Sequence, residues 1–572
     1  MNRRNFIENM TLGGGALAAV PFIDSPVSGQ PLEKDVVIKE KTILTADVVV
    51  AGGGLGGCAS AIAALRNGLS VILTEETDWI GGQLSQQGVP PDEHIWIETH
   101  GATQLYRDFR NGVRDYYKRN YPLTSEAKAR KNLNPGDGSV SRLCHEPRVA
   151  VAVLTDMFAP YISSGKLTLL LEHKVIGAET KDNQVKVLEA FDLNTKKRLA
   201  LSAKYFVDAT ELGDLLPLTG TEFVTGAESK SETGELHAPE TGNPESNQAF
   251  TVCFAIDYVP GENHVIEKPK EYAFWKNFVP EMAKPWSGKL LDLSYSNPKT
   301  LEPKLLGFHP EGVLMGEKLN LWNYRRIINK ENFVKGTYSG DVTIVNWPQN
   351  DYFLGNLVGA GEKDFKMHFE RGKQLSLSLL YWLQTEAPRP DGGKGWPGVR
   401  LRKDIMGTED GLAKYPYVRE SRRIRAVFTI KEEHVGADNR AMITGKKDNK
   451  AAEFEDSVGV GYYHIDLHPS TAKDNYIDFG SLPFQIPLGA LLPKRMENLL
   501  PANKNIGTTH ITNGCYRLHP VEWSIGESVG LLIKYALDKK VIPRTVREQK
   551  DLLIEFQDFI RKQGIETEWP KN

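Results

Sequence analysis

One stretch near the N-terminus limits what this chain can fold into more than any other. Residues 45–51, Thr-Ala-Asp-Val-Val-Val-Ala, are rich in β-branched side chains and suit a buried parallel strand. A glycine loop follows at once: Gly52, Gly54 and Gly57 fit G-x-G-x-x-G, and residues 58–65 continue as an apolar helical run that starts with small side chains. Each glycine has a physical task. Gly52 permits the tight turn from strand to helix, Gly54 lets the backbone approach a pyrophosphate, and Gly57 allows helix and strand to pack closely, while the helix N-terminus offers free amides to the negative charge. Asn67-Gly68 supplies the helix stop, and a second strand at residues 70–74 ends in Glu75, placed to hold the ribose hydroxyls of an adenosine. Strand, loop, helix, strand and acid in this register predict a Rossmann-type dinucleotide site.

The rest of the composition restricts the partners. With 70 basic and 73 acidic residues the formal charge is −3, so nothing in the balance favours nucleic acid or an anionic membrane. At 572 residues two or three domains are expected, each able to bury its own core. Cys58, Cys144, Cys253 and Cys515 lack C-x-x-C spacing, which argues against a structural zinc site and a disulfide-dense scaffold. No metal is expected. The first thirty residues stand apart: Arg3-Arg4-Asn5-Phe6-Ile7 precedes a short apolar stretch broken by Gly13-Gly14-Gly15. This resembles a twin-arginine export signal and implies a periplasmic or secreted enzyme, the alternative being a disordered basic N-terminus. The stretch is too short for a comfortable membrane span, and no later segment is apolar for long enough, so stable membrane insertion is not expected.

The fingerprint alone does not separate FAD from NAD. Three further motifs do. Trp79-Ile-Gly81-Gly82-Gln83-Leu84-Ser85 forms a second glycine loop; Tyr205-Phe-Val-Asp208-Ala209-Thr210-Glu211-Leu-Gly213-Asp214 is a strand and loop; and residues 497–510 lead through Asn505 and His510 to Arg517, Pro520, Gly526 and Glu527. Together they resemble the FAD-dependent oxidoreductases related to fumarate reductase and succinate dehydrogenase flavoproteins, most nearly a branch among secreted bacterial enzymes. The resemblance implies FAD, which related enzymes can carry linked to a histidine; His94 and His100 do not sit in the expected linkage pattern, so noncovalent FAD is favoured. Gly81, Gly82 and Gln83 would run beside the ribityl chain and ring, and Asp208, Ala209, Gly213 and Asp214 would lie near adenosine and pyrophosphate. Asn505, Gly526 and Glu527 would belong to the segment that closes over the flavin. Glu211 stands where many relatives carry glycine. A helix starting near Pro520 would aim its positive end at the pyrimidine side of the ring. Gly359-Ala-Gly361 stops short of a second dinucleotide motif, so electrons would pass to oxygen, a quinone or a redox protein.

The resulting expectation is an α/β fold with an inserted α+β substrate domain. Residues 1–30 are the signal segment, 45–215 the first part of the FAD domain, 216–480 the substrate domain, 481–545 the returning part, and 546–572 a C-terminal helix and tail. Trp275, Trp286, Trp322, Trp347 and Trp382 fit core packing better than ligand platforms. Arg419-Glu420-Ser421-Arg422-Arg423 offers guanidinium forks for a carboxylate or carbonyl, or else an internal ion-pair network around Glu420. His464-x-Asp466-x-His468 alternates like a strand, so the three polar side chains would share one face as a proton relay, a metal site or a self-satisfied cluster. His510 is favoured as the base from the family resemblance, with Arg517, His464 and Arg419 also at the reaction centre. His145 and Arg148 read by default as a surface cap with no substrate contact, the alternative being a cap on a loop over the site. The reaction expected is oxidation of a polar small-molecule substrate, a carbohydrate or hydroxy acid, by hydride transfer to flavin N5. Reduction of an unsaturated bond and electron transfer within a complex are the alternatives.

Overall fold

The computed structural model describes residues 42–312, 314, 318–446 and 450–570. The proposed export segment lies outside them. The site is organised by one seven-stranded sheet. Strand β1 (Thr42–Ala51) lies parallel to β2 (Val71–Glu75) on one side and to β6 (Arg198–Asp208) on the other, and β2 is followed by β3 (Leu167–Leu171). On the far side, β5 (Gln184–Asp192) pairs antiparallel with the first half of β6, and its hairpin partner β4 (His173–Lys181) forms the edge. The second half of β6 pairs instead with Leu499–Pro501, in parallel register from Leu499 opposite Phe206 to Pro501 opposite Asp208. A strand from the end of the chain is thereby set beside one from its first third.

Helix α1 (Leu55–Arg66) is buried along its length up to Leu65, because the helix His519–Lys539 covers the side turned away from the sheet. Small residues make that contact close. A Cβ at Gly526 would stand 2.0 Å from Gly56 O, and one at Gly530 would stand 2.4 Å from Ser60 O. As the sequence predicts, α1 stops at Asn67 and Gly68, the latter in the left-handed region at φ +87°.

Elsewhere, Arg326–Ile328, Val342–Val345, Phe254–Tyr258 and Val399–Leu401 form a four-stranded antiparallel sheet in that spatial order. It shares an apolar cluster with the helix Glu362–Thr385 and with Trp275, Trp286, Trp322, Trp347 and Trp382, so all five tryptophans are core. The four cysteines are free and buried. Among the described residues no helix is long and apolar enough to cross a membrane, and no cluster of three or more His, Cys, Asp or Glu is placed for a metal ion.

Candidate active site

The nucleotide cleft is built from backbone brought very close to backbone. Gly52 sits at φ +100°, and a Cβ there would lie 2.2 Å from Ala209 O; at Gly57 it would lie 2.0 Å from Gly52 O. The returning segment presses on the same loop: a Cβ at Gly56 would lie 1.7 Å from Ala502 O, and the Gly56 amide donates to Asn503 Oδ1 at 3.2 Å. Asn503 Nδ2 donates to Ala209 O at 2.7 Å and Asn505 Nδ2 to Asp208 O at 3.0 Å. Three segments far apart in sequence are stitched by these bonds.

Glu75 ends β2 at the cleft wall beside Gly52, Gly54, Ala209, Glu211 and Asp214. Its carboxylate accepts from the amides of Gly53 (3.0 Å) and Thr77 (2.8 Å), and burial pushes it up to about 8. Asp208 serves the turn: it accepts from the Thr210 amide and hydroxyl and from the Leu215 amide, and burial pushes it up to about 7. Gly213 follows at φ +66°, and Asp214 pairs with Arg422 at 2.9 Å.

The second glycine loop closes the other end. Gly81 and Gly82 both have positive φ, the Gly81 amide donates to Gly53 O at 2.8 Å, and a Cβ at Gly82 would lie 2.9 Å from Leu55 N. Gln83 Nε2 donates to Arg517 O (2.9 Å) and to Glu522 Oε2 (2.8 Å), joining this loop to the start of the helix His519–Lys539. That helix carries Pro520 in its first turn, as the sequence predicts. Lys504 is buried between Glu211 (2.6 Å) and Glu522 (3.3 Å), whose carboxylates hold its amine above the ordinary range against the effect of burial. His519 Nδ1 accepts from the Asp92 amide at 3.1 Å, and burial lowers the imidazole to about 4, so the ring is neutral with its proton on Nε2.

Several buried polar atoms here have no protein partner: Gln83 Oε1, both amide atoms of Gln87, Glu211 Oε1 and His519 Nε2. Native interiors rarely leave such groups unsatisfied. These groups fit a long polar cofactor lying from Glu75 toward Arg517. Gly526 and Glu527 are placed differently from their predicted neighbours: Gly526 packs on α1, and Glu527 accepts from Trp523 Nε1 at 3.1 Å.

Beyond Arg517 opens a cavity of about 480 Å³ whose lining includes Tyr417, Arg419, His464, Asp466, His468 and Arg517. His464, Asp466 and His468 do share one face, around the short strand Ile465–Leu467. His468 stands between two carboxylates, Nδ1 at 2.6 Å from Asp351 and Nε2 at 3.5 Å from Asp466. Asp351 also pairs with Arg419 at 3.2 Å and Asp466 with Arg517 at 3.0 Å, while Arg517 Nη1 donates to Tyr417 Oη at 2.8 Å. His464 differs: only its Nδ1 is engaged, by Asp478 at 2.8 Å on the neighbouring strand. Burial alone would lower the His464 pKa, but the Asp478 hydrogen bond and the nearby Asp466 raise it above the ordinary value.

The Arg419–Arg423 run is dispersed by the fold. Arg419 reaches the cavity, Glu420 faces His510, Arg422 binds Asp214, and Arg423 pairs with Glu228 at 2.9 Å. His510 is buried behind the cavity, with Nδ1 at 2.9 Å from Glu420 Oε1, whose charge raises the histidine above its ordinary value although burial opposes it. His145 is buried, and Arg148 lies over the Trp79 ring at 5.1 Å. Sequence reasoning did not single out Lys504, Asn503, Glu522, His519, Asp351, Tyr417 or Asp478; only their spatial neighbours mark them.

Fold and site together define a Rossmann-type flavin enzyme. The chain belongs to the FAD dependent oxidoreductase family, whose model matches residues 47–559. It therefore uses FAD. Among solved structures, it is similar to E. coli quinol fumarate reductase FrdA (12% identity, 91% of this chain and 74% of that one, TM-score 0.34). It is also similar to a geranylgeranyl bacteriochlorophyll reductase-like protein from Thermoplasma acidophilum (10% identity, 92% and 85%, TM-score 0.31). L-proline dehydrogenase from P. horikoshii matches at 15% identity over 34% of this chain, spanning only 26% of that one, with a TM-score of 0.17. No curated protein matches by sequence.

Proposed function

We propose that this FAD-dependent oxidoreductase oxidises a hydroxyl-bearing polar small molecule, a carbohydrate or hydroxy acid, in the cavity beyond Arg517. The observation that carries this reading is the His464–Asp478 pair, an imidazole with one nitrogen anchored by a carboxylate and the other uncommitted, on the cavity wall. Asp478 accepts from Nδ1–H and fixes the tautomer, so Nε2 receives the substrate hydroxyl proton. FAD, when bound, supplies the two-electron acceptor for the hydride released from the adjacent carbon. Arg517 and Arg419 orient the substrate oxygen and stabilise charge that builds on it. His468, held between Asp351 and Asp466, keeps those carboxylates in place.

In this reading Gly52, Gly54, Gly57 and Glu75 hold the adenosine and pyrophosphate half, and Gly81, Gly82 and Gln83 the flavin half. Asn505, Asp208 and Gly213 shape the loops, and Ala209 and Asp214 line the cleft. Electrons then leave for oxygen, a quinone or a redox protein. The Arg3-Arg4 leader supports export of the folded enzyme to the periplasm or beyond. The test is an anaerobic titration of the yellow protein with sugars and hydroxy acids. Loss of flavin absorbance, abolished in His464→Asn with the FAD content unchanged, is the expected result; bleaching of that variant at the parental rate would contradict the assignment.

A further inference from the structure

The charges around the cavity lean to the positive side at its exposed edge. Its lining carries five cations, Lys299, Lys304, Arg325, Arg419 and Arg517, and four carboxylates face them, those of Asp92, Asp466 and Asp478 in the lining and that of Asp351 behind Arg419. The two lysines are exposed, and Lys304 lies on a small hairpin in which Ser294–Ser296 pairs with Pro303–Leu305. The three arginines are buried, at 8%, 2% and 2% exposure. Their partners are specific: Arg325 with Asp92 at 3.3 Å, Arg419 with Asp351, and Arg517 with Asp466.

Hydrogen-bond capacity is equally one-sided. The Nε–H groups of all three arginines, Asn346 Nδ2 and Trp347 Nε1 are buried without an acceptor in the protein. Among the fully buried atoms of the lining, the acceptors without a hydrogen bond are one carboxylate oxygen, on Asp92, and one hydroxyl, on Tyr476. Unmet buried donors are costly, and guanidinium groups favour planar anionic acceptors.

We propose that the substrate is an anion carrying a carboxylate, drawn in past Lys299 and Lys304 and held against Arg419 and Arg517 with its hydroxyl turned to His464. This deepens the function proposed above and rests on it. The carboxylate fits five donors held on planar or fixed groups, and the lysines at the mouth raise the local concentration of an anion and its encounter rate.

The experiment compares matched probes on the FAD-loaded enzyme: galacturonate with galactose, glucuronate with glucose, glycerate with glycerol, and glucose 6-phosphate as a separate anion. Anaerobic bleaching or perturbation of the flavin spectrum is recorded for each. Expected are half-effects at concentrations at least about tenfold lower for a carboxylate than for its neutral partner, narrowing in Lys299→Ala/Lys304→Ala and at 0.5 M salt. That double variant changes only exposed side chains, so folding is preserved. Neutral sugars acting equally well, or the phosphate ester outperforming every carboxylate, would overturn the inference while leaving oxidation at His464 standing. A yellow protein that no probe bleaches, yet whose spectrum carboxylates perturb selectively, would support the anion site and count against the oxidation reading. A spectrum that no probe changes would overturn both.

Discussion

The nucleotide cleft and the substrate cavity are adjacent but built on opposite terms. In the cleft the deciding contacts are between backbones, at distances only glycine permits, as where Gly52 meets Ala209 and Gly56 meets Ala502. In the cavity they are between charged side chains drawn from segments near residues 92, 325, 351, 419, 466 and 517. A backbone cradle suits a ligand whose long polar shape is fixed, whereas a side-chain network is free to specialise for one substrate.

Changes that strike the cleft should therefore remove the cofactor, and changes in the cavity should remove chemistry while leaving the yellow colour. The largest effect is expected from Lys504→Met, which strands the buried Glu211 and Glu522 carboxylates and should cost about 3–5 kcal/mol, read by denaturant unfolding of the apoprotein. His464→Asn should lower kcat by roughly 10²–10⁴-fold with an unaltered visible spectrum, measured by stopped-flow reduction. If this variant loses FAD instead, the two regions are not functionally separate. Glu75→Gln should weaken FAD binding by roughly 10–100-fold, because it replaces one acceptor oxygen of the cleft wall with an amide donor, and should leave substrate reduction of the loaded enzyme unchanged.

The pH dependence sharpens the same contrast. His464 must be neutral to accept a proton, and its neighbouring carboxylates raise its pKa, so kcat/KM should fall with acidification through a value above that of an ordinary histidine. Asp478→Asn removes part of that effect and should move the acid limb to lower pH; a limb that stays in place would point to a different base. The smallest effect is expected at the outer edge, where Arg148→Ala loses a contact with the Trp79 ring and should change stability by less than about 1 kcal/mol.

The same difference explains what could be read from the sequence. Gly52, Gly57, Gly68, Gly81 and Gly82 were legible because each marks a backbone conformation or approach that other residues resist, and such demands recur at fixed local spacing. The parallel strand at residues 499–501 was not legible, since a pairing with β6 across nearly 300 positions leaves no local pattern; the family resemblance implies only that this segment returns to the flavin. Gly526 stands where two helices touch, a contact that no local spacing announces. The cavity was legible in fragments. His464-x-Asp466-x-His468 has strand spacing, but that Asp478 anchors one histidine and Asp351 the other depends on tertiary placement. His510 stands in a telling motif, yet it lies outside the lining of the cavity, with its Nδ1 held by Glu420.

The central claim is that one FAD spans from Glu75 to Arg517 and presents its reactive ring to the cavity of His464. A crystal structure of the FAD-loaded enzyme tests it most directly. The account expects the pyrophosphate at the first turn of α1 and the isoalloxazine between Gln83 and Arg517, with one face open toward His464. A flavin ring directed away from Arg517, or sealed from that cavity by protein, would contradict it.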